Sequence, residues 1–535
     1  MRYFLSIFVL FSLCLYGETL ITKQWLQNKP RSYAKDFYIW RYLNQNITPD
    51  DAIWALGEAK NVNNKLFRRY ANKLHHKSTS RIVQCMKMKP SLLYKQDADC
   101  IKNGLTAYKA TKLTKKQLLN VSEKIDKQYP KLANVLKILS SNKPFDRLVQ
   151  SDNKLFFDTF NQVGTTYRIK YFNHKFSNKL LTRLKSDKKK FAVMIKKIVT
   201  TLAMGKAQQS LFDIDTKNLS HQTSFFLAIN SIRYNQLTQA IQYLQQSYKT
   251  AYFRFDKDKV LFWQYKISHD KSYLRELALS WDINIYSLFA KELLHIEPHN
   301  IKFGVKLANS DLTSYDISDP FAWLAVLRHI KKLDKQKLLK YKSIFTTQQT
   351  QGHISFIQER YDRYKIAYFA KPYDMIIKNY SIERQALIYA LARQESRFIP
   401  TSISPSYALG VMQIMPFLSK ALAKQLKEQY DIDKQLIPSI NIKYANKHLN
   451  YLERKLNHNV LLIAYAYNGG IGFTKRMLKN GFFKLGKYDP YISMELIPYD
   501  ESRRYGKKVL ANYIIYYNNL AKNKKISILK DKFFY

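Results

Sequence analysis

The chain has 535 residues, of which 89 are Lys or Arg and 40 are Asp or Glu, so its formal net charge is +49. A chain of this length exceeds what one hydrophobic core supports and should divide into at least two domains. Glycine and proline number only 14 each, and alternating strand patterns are scarce, which excludes a predominantly β-sheet protein and predicts an all-α fold.

The amino terminus has the form of a secretory signal peptide. Arg2 precedes a nearly continuous apolar run over residues 3–16, and Gly17 is a small residue suited to cleavage. The run is too short to span a bilayer comfortably. We therefore predict that residues 1–17 direct export to the periplasm and that the mature chain has no transmembrane segment. Lipid attachment at Cys14 is the less favoured alternative, because a large leucine precedes it.

The strong positive charge has two interpretations. Excess lysine and arginine often indicate binding to nucleic acid or to an anionic surface, but the export signal argues against nucleic acid. An exported basic protein would instead be drawn to a polymer that carries carboxylates, and salt would weaken the attraction. The alternative is a genomic composition rich in Lys and Asn, which would make much of the charge a solvated face.

Two cysteines remain after removal of the predicted signal peptide. Cys85 and Cys100 can form a disulfide in an exported chain, which would contribute roughly 3 kcal/mol of stability. Two reduced and buried thiols are the alternative. We do not expect a metal site, because no other Cys or His has ligand spacing relative to this pair.

Amphipathic segments of helical length fill the chain from residue 18 to residue 345. Clear examples are residues 50–60, 64–74, 115–127, 237–248 and 320–332, each followed by a brief polar turn. Segments of this length predict a superhelix of stacked helical hairpins, in which each pair buries its apolar face on the next. We find no repeat of fixed period.

A domain boundary is predicted shortly after this region. Residues 346–352 are polar and end in Gly352, which is typical of a linker. We therefore expect a linker over residues 346–371 and a second domain over residues 372–535.

One acidic residue follows an apolar stripe in the second domain. Leu387, Leu391 and Glu395 recur every four residues and share one face of a predicted helix. A carboxyl group at the end of such a stripe is partly removed from water, which raises its pKa and lets it hold a proton near neutral pH. Glu395 is therefore predicted to be a general acid. The alternative is a surface glutamate paired with Arg393 or Arg397.

Two segments downstream have residues suited to a binding cleft. Residues 408–416 include Gly410, which permits close backbone approach, and Gln413, whose amide both donates and accepts hydrogen bonds. Residues 461–470 form an apolar helical pattern that ends in Asn468 and two glycines. Such segments can contact a sugar, and each one alone also fits a purely structural role.

Taken in order, these segments resemble the soluble lytic transglycosylase family. The matching blocks are Glu395-Ser396, the Gly-Val-Met-Gln-Ile-Met-Pro of residues 410–416, Asn441-Ile442, the Ala-Tyr-Asn-Gly-Gly of residues 466–470, and the Glu-Leu-Ile-Pro of residues 495–498 with Glu501 and Tyr505. The resemblance covers roughly the last third of the chain. It implies a lysozyme-like helical catalytic domain carried on a curved or ring-shaped helical body.

The resemblance also implies roles for individual residues. Glu395 corresponds to the single catalytic acid and base of the family. Substrate contacts are expected from Ser396, Ser404, Gly410, Met412, Gln413, Met415, Tyr467, Asn468, Glu501 and Tyr505. Neither a cofactor nor a metal is expected, and the implied partners are peptidoglycan glycan strands, with cell-wall synthesis enzymes as further candidates.

The number of catalytic carboxyl groups distinguishes two reactions. Ordinary glycosidases use two carboxyl groups across the scissile bond, whereas only Glu395 is assigned here. As the family implies, the C6 hydroxyl of N-acetylmuramic acid would then replace water and leave a 1,6-anhydromuramoyl end. A hydrolase in which Glu501 is a second carboxylate is one alternative, and a noncatalytic scaffold or nucleic-acid binder is another.

Overall fold

A computed structural model describes residues 20–74, 76–307, 315–522 and 525–529. These residues form 32 α-helices, three 3-10 helices and one two-stranded sheet, so the predicted all-α class is confirmed. No helix among them is long and apolar enough to cross a bilayer. The predicted signal peptide, including Cys14, lies outside the described residues.

The first part of the chain consists of short helices joined by brief turns. In chain order they are α1 (Lys23–Gln27), α2 (Tyr33–Tyr42), α3 (Pro49–Gly57), α4 (Asn64–Leu74), α5 (Lys77–Lys87), α6 (Pro90–Leu93), α7 (Ala98–Gly104), α8 (Ala107–Ala110), α9 (Lys115–Ile125), α10 (Pro130–Ser140), α11 (Pro144–Gln150), α12 (Asn153–Phe160), α13 (Thr165–Tyr171), α14 (Asn178–Lys185), α15 (Lys188–Val199), α16 (Gly205–Gln209), α17 (His221–Arg233), α18 (Leu237–Thr250), α19 (Arg254–Ser268), α20 (Lys271–Ala278) and α21 (Ile285–Leu293).

Local sequence explains many of these boundaries. Thr114, for example, accepts a hydrogen bond from the backbone of Gln117, whose side chain bonds back to Thr114, and this capping box begins α9. The predicted segment 64–74 coincides with α4, and residues 237–248 lie within α18.

A middle region connects this array to the C-terminal helices. It comprises β1 (Ile301–Lys302), α22 (Ala322–His329), a 3-10 turn (Ile330–Lys332), α23 (Lys335–Ile344), a 3-10 turn (Gln348–Thr350), α24 (Gln351–Tyr361), β2 (Ala367–Tyr368) and α25 (Asp374–Ile377). Strands β1 and β2 pair in parallel, with Ile301 opposite Ala367.

The segment predicted as a linker is folded and partly buried. Residues 346–352 were expected to be a polar connection, but they form a 3-10 turn and the first two residues of α24. Gly352 packs so closely on Phe398 that a Cβ atom would lie 2.7 Å from the Cβ of that residue. Tertiary packing thus overrides the local composition. The domain boundary itself stays a prediction.

The C-terminal part contains the longest helices. It comprises α26 (Ile382–Glu395), α27 (Pro416–Gln425), a 3-10 turn (Asp433–Leu436), α28 (Pro438–Lys455), α29 (Val460–Gly469), α30 (Ile471–Lys479), α31 (Tyr491–Leu496) and α32 (Asp500–Leu520). Helix α32 packs against both α26 and α29. Gly506 permits the close approach of α29, because a Cβ at that position would lie 2.2 Å from the ring of Tyr465.

The helical array contacts the C-terminal part in two separate places. Phe262 of α19 lies 4.6 Å from Tyr491 of α31 between ring centroids. At the other end of the array, Phe37 and Trp40 of α2 lie 5.9 Å and 5.5 Å from Tyr407. The described chain therefore closes on itself, because the first helices of the array and its later helices both pack on the C-terminal part.

The two cysteines link neighbouring helices. A disulfide joins Cys85 of α5 to Cys100 of α7, with their Cα atoms 5.3 Å apart and both side chains buried. Among the described residues, no group of three or more Cys, His, Asp or Glu side chains is arranged to hold a metal ion.

Candidate active site

Glu395 is the last residue of α26 and is half-buried. Leu391 and Leu387, about one and two turns before it, are buried in the core. The helix cannot continue past Ser396, because Arg397 and Phe398 adopt left-handed backbone angles with φ of 57° and 65°. The carboxyl group of Glu395 therefore lies at the boundary between the buried apolar side chains of α26 and the protein surface.

Tyr505 of α32 holds the Glu395 carboxyl group directly. Its hydroxyl donates a hydrogen bond of 2.6 Å to Oε1. Burial raises the pKa of Glu395 to about 7, the Tyr505 hydrogen bond acts to lower it, and the charge of Glu501 acts to raise it. Near neutral pH the group is thus divided between its acid and base forms, which suits a residue that both gives and takes a proton.

The loop after α26 is built mainly on backbone contacts. Ser396 donates a hydrogen bond of 2.7 Å to the carbonyl of Val411, which ties the end of the helix to this loop. Gly410 has φ of +80°, and a Cβ there would lie 2.3 Å from the Gln435 carbonyl oxygen. Asn441 accepts from the amide of Met412 at 2.7 Å and donates to the carbonyl of Leu409 at 3.1 Å. Asn441 therefore fixes the course of residues 409–412.

Gln413 and Ser404 form two tight turns at the edge of the site. The Gln413 amide nitrogen donates to the carbonyls of Ser402 and Gly410, at 2.9 Å and 2.8 Å. The Ser404 hydroxyl accepts from the amide of Ala408 at 2.9 Å. Both side chains line the cleft beside Glu395.

The end of α29 connects this loop to α32. The Tyr467 hydroxyl donates to the carbonyl of Met412 at 2.7 Å. Asn468 donates to Glu501 at 3.2 Å and accepts from the hydroxyl of Ser502 at 2.7 Å. The Tyr-Asn pair thus joins the loop after α26 to the first turn of α32.

The cleft around Glu395 has a volume of about 560 Å³. Five of the residues predicted to contact substrate line it together with Glu395, and four further residues line it that were not predicted. The first group is Ser404, Gln413, Asn468, Glu501 and Tyr505, and the second is Gln394, Asp500, Arg504 and Lys508.

Three of the four unpredicted residues could have been found from helical spacing. Asp500, Arg504 and Lys508 recur every four residues in α32, beside the predicted Glu501 and Tyr505. Helical spacing from Glu501 and Tyr505 places these three residues on or beside the same face of the helix.

The remaining predicted residues do not line the cleft. Ser396, Gly410 and Tyr467 bond to or pack on the backbone, as described above, and the Met412 side chain is fully buried. Met415 is half-buried and precedes α27, where its carbonyl accepts from Ser419 at 2.9 Å. In this structure these five residues shape the site, and their expected substrate contacts stay a prediction.

Glu501 differs from Glu395 in its surroundings. It lies in the first turn of α32, is exposed, and its carboxylate is held by the Asn468 amide. The cleft therefore pairs one enclosed, proton-holding carboxyl group with one exposed carboxylate.

Comparison with known proteins connects this site to one family. Residues 373–489 match the family described as Transglycosylase SLT domain. The soluble lytic murein transglycosylase of Escherichia coli strain K12 is 34% identical over 154 residues, which are 28% of this chain and 23% of that protein. The aligned part thus spans about a quarter of the curated relative.

Two solved structures resemble nearly the whole chain. The 70-kDa soluble lytic transglycosylase of Escherichia coli has a TM-score of 0.52 at 16% identity, with 96% of this chain and 90% of that chain covered. The complex of the 70-kDa enzyme with bulgecin A has a TM-score of 0.53 at 17% identity, with 96% and 84% covered. At these identities the likeness concerns the fold, and it confirms the predicted superhelix followed by a lysozyme-like domain.

Proposed function

We propose that this chain, which belongs to the soluble lytic transglycosylase family through its SLT domain, cleaves peptidoglycan without using water. The bond cleaved is the β-1,4 linkage between N-acetylmuramic acid and N-acetylglucosamine. The observation that carries this proposal is the environment of Glu395, which is half-buried, hydrogen-bonded to Tyr505 and divided between acid and base forms near neutral pH.

One carboxyl group is sufficient if it acts twice. Protonated Glu395 gives its proton to the glycosidic oxygen, and the bond from that oxygen to C1 of N-acetylmuramic acid breaks. The resulting carboxylate then takes the proton of the C6 hydroxyl while O6 bonds to C1. The proton returns to Glu395, no water is consumed, and the product has a 1,6-anhydromuramoyl end.

The other residues of the cleft have supporting roles in this proposal. Tyr505 orients the carboxyl group and stabilises its charged form after the first proton transfer. Gln413, Ser404 and Asn468 offer polar groups to the sugar. Arg504 provides a positive charge at the cleft for the carboxylates of the peptide stems.

Product analysis tests this proposal directly. Purified sacculi are digested and the soluble fragments are examined by mass spectrometry. Anhydro products are lighter by one water than the products of hydrolysis. Fragments that carry the mass of a reducing N-acetylmuramic acid would reject the transglycosylase in favour of a hydrolase.

The hydrolase alternative makes Glu501 essential, whereas the proposed mechanism does not. Glu501→Gln is expected to retain anhydro products and most of the activity, within about tenfold of wild type. Because the charge of Glu501 raises the pKa of Glu395, its removal lowers that pKa. The fall in activity with rising pH, which follows loss of the Glu395 proton, should therefore move to lower pH. Initial rates of sacculus solubilisation across pH 5–9 measure this shift.

Glu383→Gln is the matched control for this variant. Glu383 is also an exposed acid in the first turn of a helix, α26, but that helix is almost four turns long and Glu395 is at its other end. Its removal should leave the pH profile unchanged. A loss in Glu501→Gln as large as that caused by changing Glu395 would make Glu501 a second catalytic carboxylate.

The location and partners follow from the proposed substrate. We propose periplasmic localisation, with residues 1–17 as a signal peptide, 18–345 as the superhelix, 346–371 as the connecting region and 372–535 as the catalytic domain. Glycan strands of peptidoglycan are the proposed substrate, and the +49 charge favours retention on its carboxylates. An interaction with cell-wall synthesis enzymes stays a prediction.

A further inference from the structure

Helix α32 carries functional groups on two of its faces. One face presents Glu501 and Tyr505 to the cleft that contains Glu395. The other face presents Arg503 and Lys507, both buried, to the helical array. The position of the cleft-facing residues therefore depends on what holds the opposite side of the same helix.

Lys507 belongs to a closed triangle of buried polar groups. Its ammonium group lies 2.8 Å from Oε2 of Glu495 in the segment α31 and donates to the hydroxyl of Tyr286 at 2.9 Å. That hydroxyl in turn donates to Oε1 of Glu495. Tyr286 is part of α21, so the helical array supplies one corner of the triangle and the C-terminal domain supplies two. All three side chains are at most 2% exposed.

The hydroxyl of Tyr286 forms a hydrogen bond with each of the two charged groups in this triangle. Burial lowers the pKa of Lys507 and acts to raise that of Glu495. The charges of Lys507 and Lys259, together with the hydrogen bonds from Lys507 and Tyr286, nevertheless keep the pKa of Glu495 below its usual value. A buried ion pair is stable only when hydrogen bonds satisfy its remaining donors and acceptors. Tyr286 provides one acceptor to Lys507 and one donor to Glu495.

Further contacts join the array to the start of α32. Lys196 of α15 lies 2.7 Å from Asp500, and the guanidinium of Arg503 lies 4.9 Å from the ring centre of Phe226 in α17. The first two turns of α32 are thus contacted by three helices of the array, namely α15, α17 and α21. Tyr505 lies between the contacts of Arg503 and Lys507.

We infer that Tyr286 is a positioning residue for the reaction, which acts through Lys507 and Glu495 to hold α32 so that Tyr505 meets Glu395. This inference rests on the proposed function. It makes the helical array part of the catalytic apparatus, since a side chain remote from the cleft determines the geometry of the catalytic hydrogen bond.

The expected change in pH dependence follows from the groups around each site. The ionisable groups facing Glu395 are Tyr467, Glu501 and Tyr505, and Asp500, Arg504 and Lys508 line the same cleft. Those facing the triangle are Asp256, Lys259, Tyr465 and Arg503. The hydrogen bond from Tyr505 lowers the pKa of Glu395. If α32 is held less firmly, this bond weakens and the pKa of Glu395 rises.

Tyr286→Phe tests the inference with two measurements. Hydrogen exchange, followed by mass spectrometry over residues 498–510, should be about tenfold faster than in wild type, because a buried hydrogen bond is lost. Sacculus cleavage should slow by about tenfold, and its decline with rising pH should move to higher pH. Lys196→Gln, which removes the contact with Asp500 at a partly exposed site, should change both measurements in the same direction.

Tyr243→Phe is the matched control. Tyr243 is also a buried tyrosine of the array, but its hydroxyl bonds only to the backbone of Leu211, Phe212 and Ile214. Its loss should leave exchange over residues 498–510 and the pH profile unchanged. If Tyr286→Phe behaves like Tyr243→Phe in both measurements, the inference is wrong.

These experiments distinguish failure of the proposed function from failure of the positioning role of Tyr286. Wild-type protein that releases no anhydro products would reject the proposed function, while exchange over residues 498–510 would still decide whether Tyr286 holds α32. Anhydro products together with unchanged exchange would retain the function and reject the positioning role. Should Tyr286→Phe not fold, the same comparison is made between Lys196→Gln and Tyr243→Phe.

Discussion

Replacing Glu395 by glutamine is expected to abolish cleavage of purified sacculi, with a rate at least about 10³-fold below that of wild type. Glutamine keeps the size of the side chain and an oxygen that can accept from Tyr505, but it has no proton to give to the glycosidic oxygen. Release of soluble fragments from labelled sacculi measures the effect. Binding to sacculi should persist, since the cleft and the surface charge are unchanged.

The same variant should be more stable than wild type at alkaline pH. Burial raises the pKa of Glu395 to about 7 in the folded protein, so folding opposes ionisation of this group. The resulting cost is absent below the ordinary carboxyl pKa, grows as pH rises, and is complete above about pH 7, where it is on the order of 3 kcal/mol. Glu395→Gln should therefore melt at a higher temperature than wild type at pH 8 and at the same temperature at pH 4. Undiminished cleavage by a folded Glu395→Gln protein would overturn the assignment of Glu395.

Replacing Glu359 by glutamine is expected to lower the free energy of unfolding by about 3 kcal/mol. Glu359 of α24 is buried, accepts from Arg393 at 2.6 Å and from the amide of Tyr368 at 2.9 Å, and forms an ion pair with Arg397 at 3.0 Å. A neutral amide cannot balance the two guanidinium groups, and Arg393 is itself largely buried. Urea denaturation measures the loss. Because these arginines flank Glu395, cleavage should also slow.

Glu428→Gln provides the control for Glu359→Gln. Glu428 pairs with Lys443 at an exposed position, and a surface ion pair contributes less than about 1 kcal/mol. The same chemical change should therefore have little effect there. Equal stability losses in the two variants would show that burial of the Glu359 cluster has no special role.

Local patterns in the sequence were sufficient to predict the helix that carries Glu395. The spacing of Leu387, Leu391 and Glu395 depends only on helical geometry, and the structure has that helix ending at Glu395. The order of the downstream blocks likewise indicated Tyr505, which contacts the Glu395 carboxyl group. Such features are local, or are carried by motifs that the family resemblance supplies.

Features that depend on distant packing were not predictable in this way. Residues 346–352 are polar and contain a glycine, yet they lead through a 3-10 turn into α24, where Gly352 fits against Phe398. The contact between Tyr286 and Lys507 joins residues 221 positions apart, and nothing in either local sequence indicates the other. Met412 belongs to a family motif, but burial of its side chain is visible only in three dimensions.

The contact between the first helices and the loop around Tyr407 has a consequence for synthesis. Arg41 bonds to Asp433 at 3.0 Å although 392 positions separate them, and such distant contacts form late in folding. A ribosome releases the segment around Asp433 long after Arg41 has emerged. The loop after Ser404 likewise bonds to Asn63 and Lys65, which are made more than 300 residues earlier. That wall of the cleft is therefore completed only when early and late segments meet, so a chain interrupted before this loop would have no finished cleft.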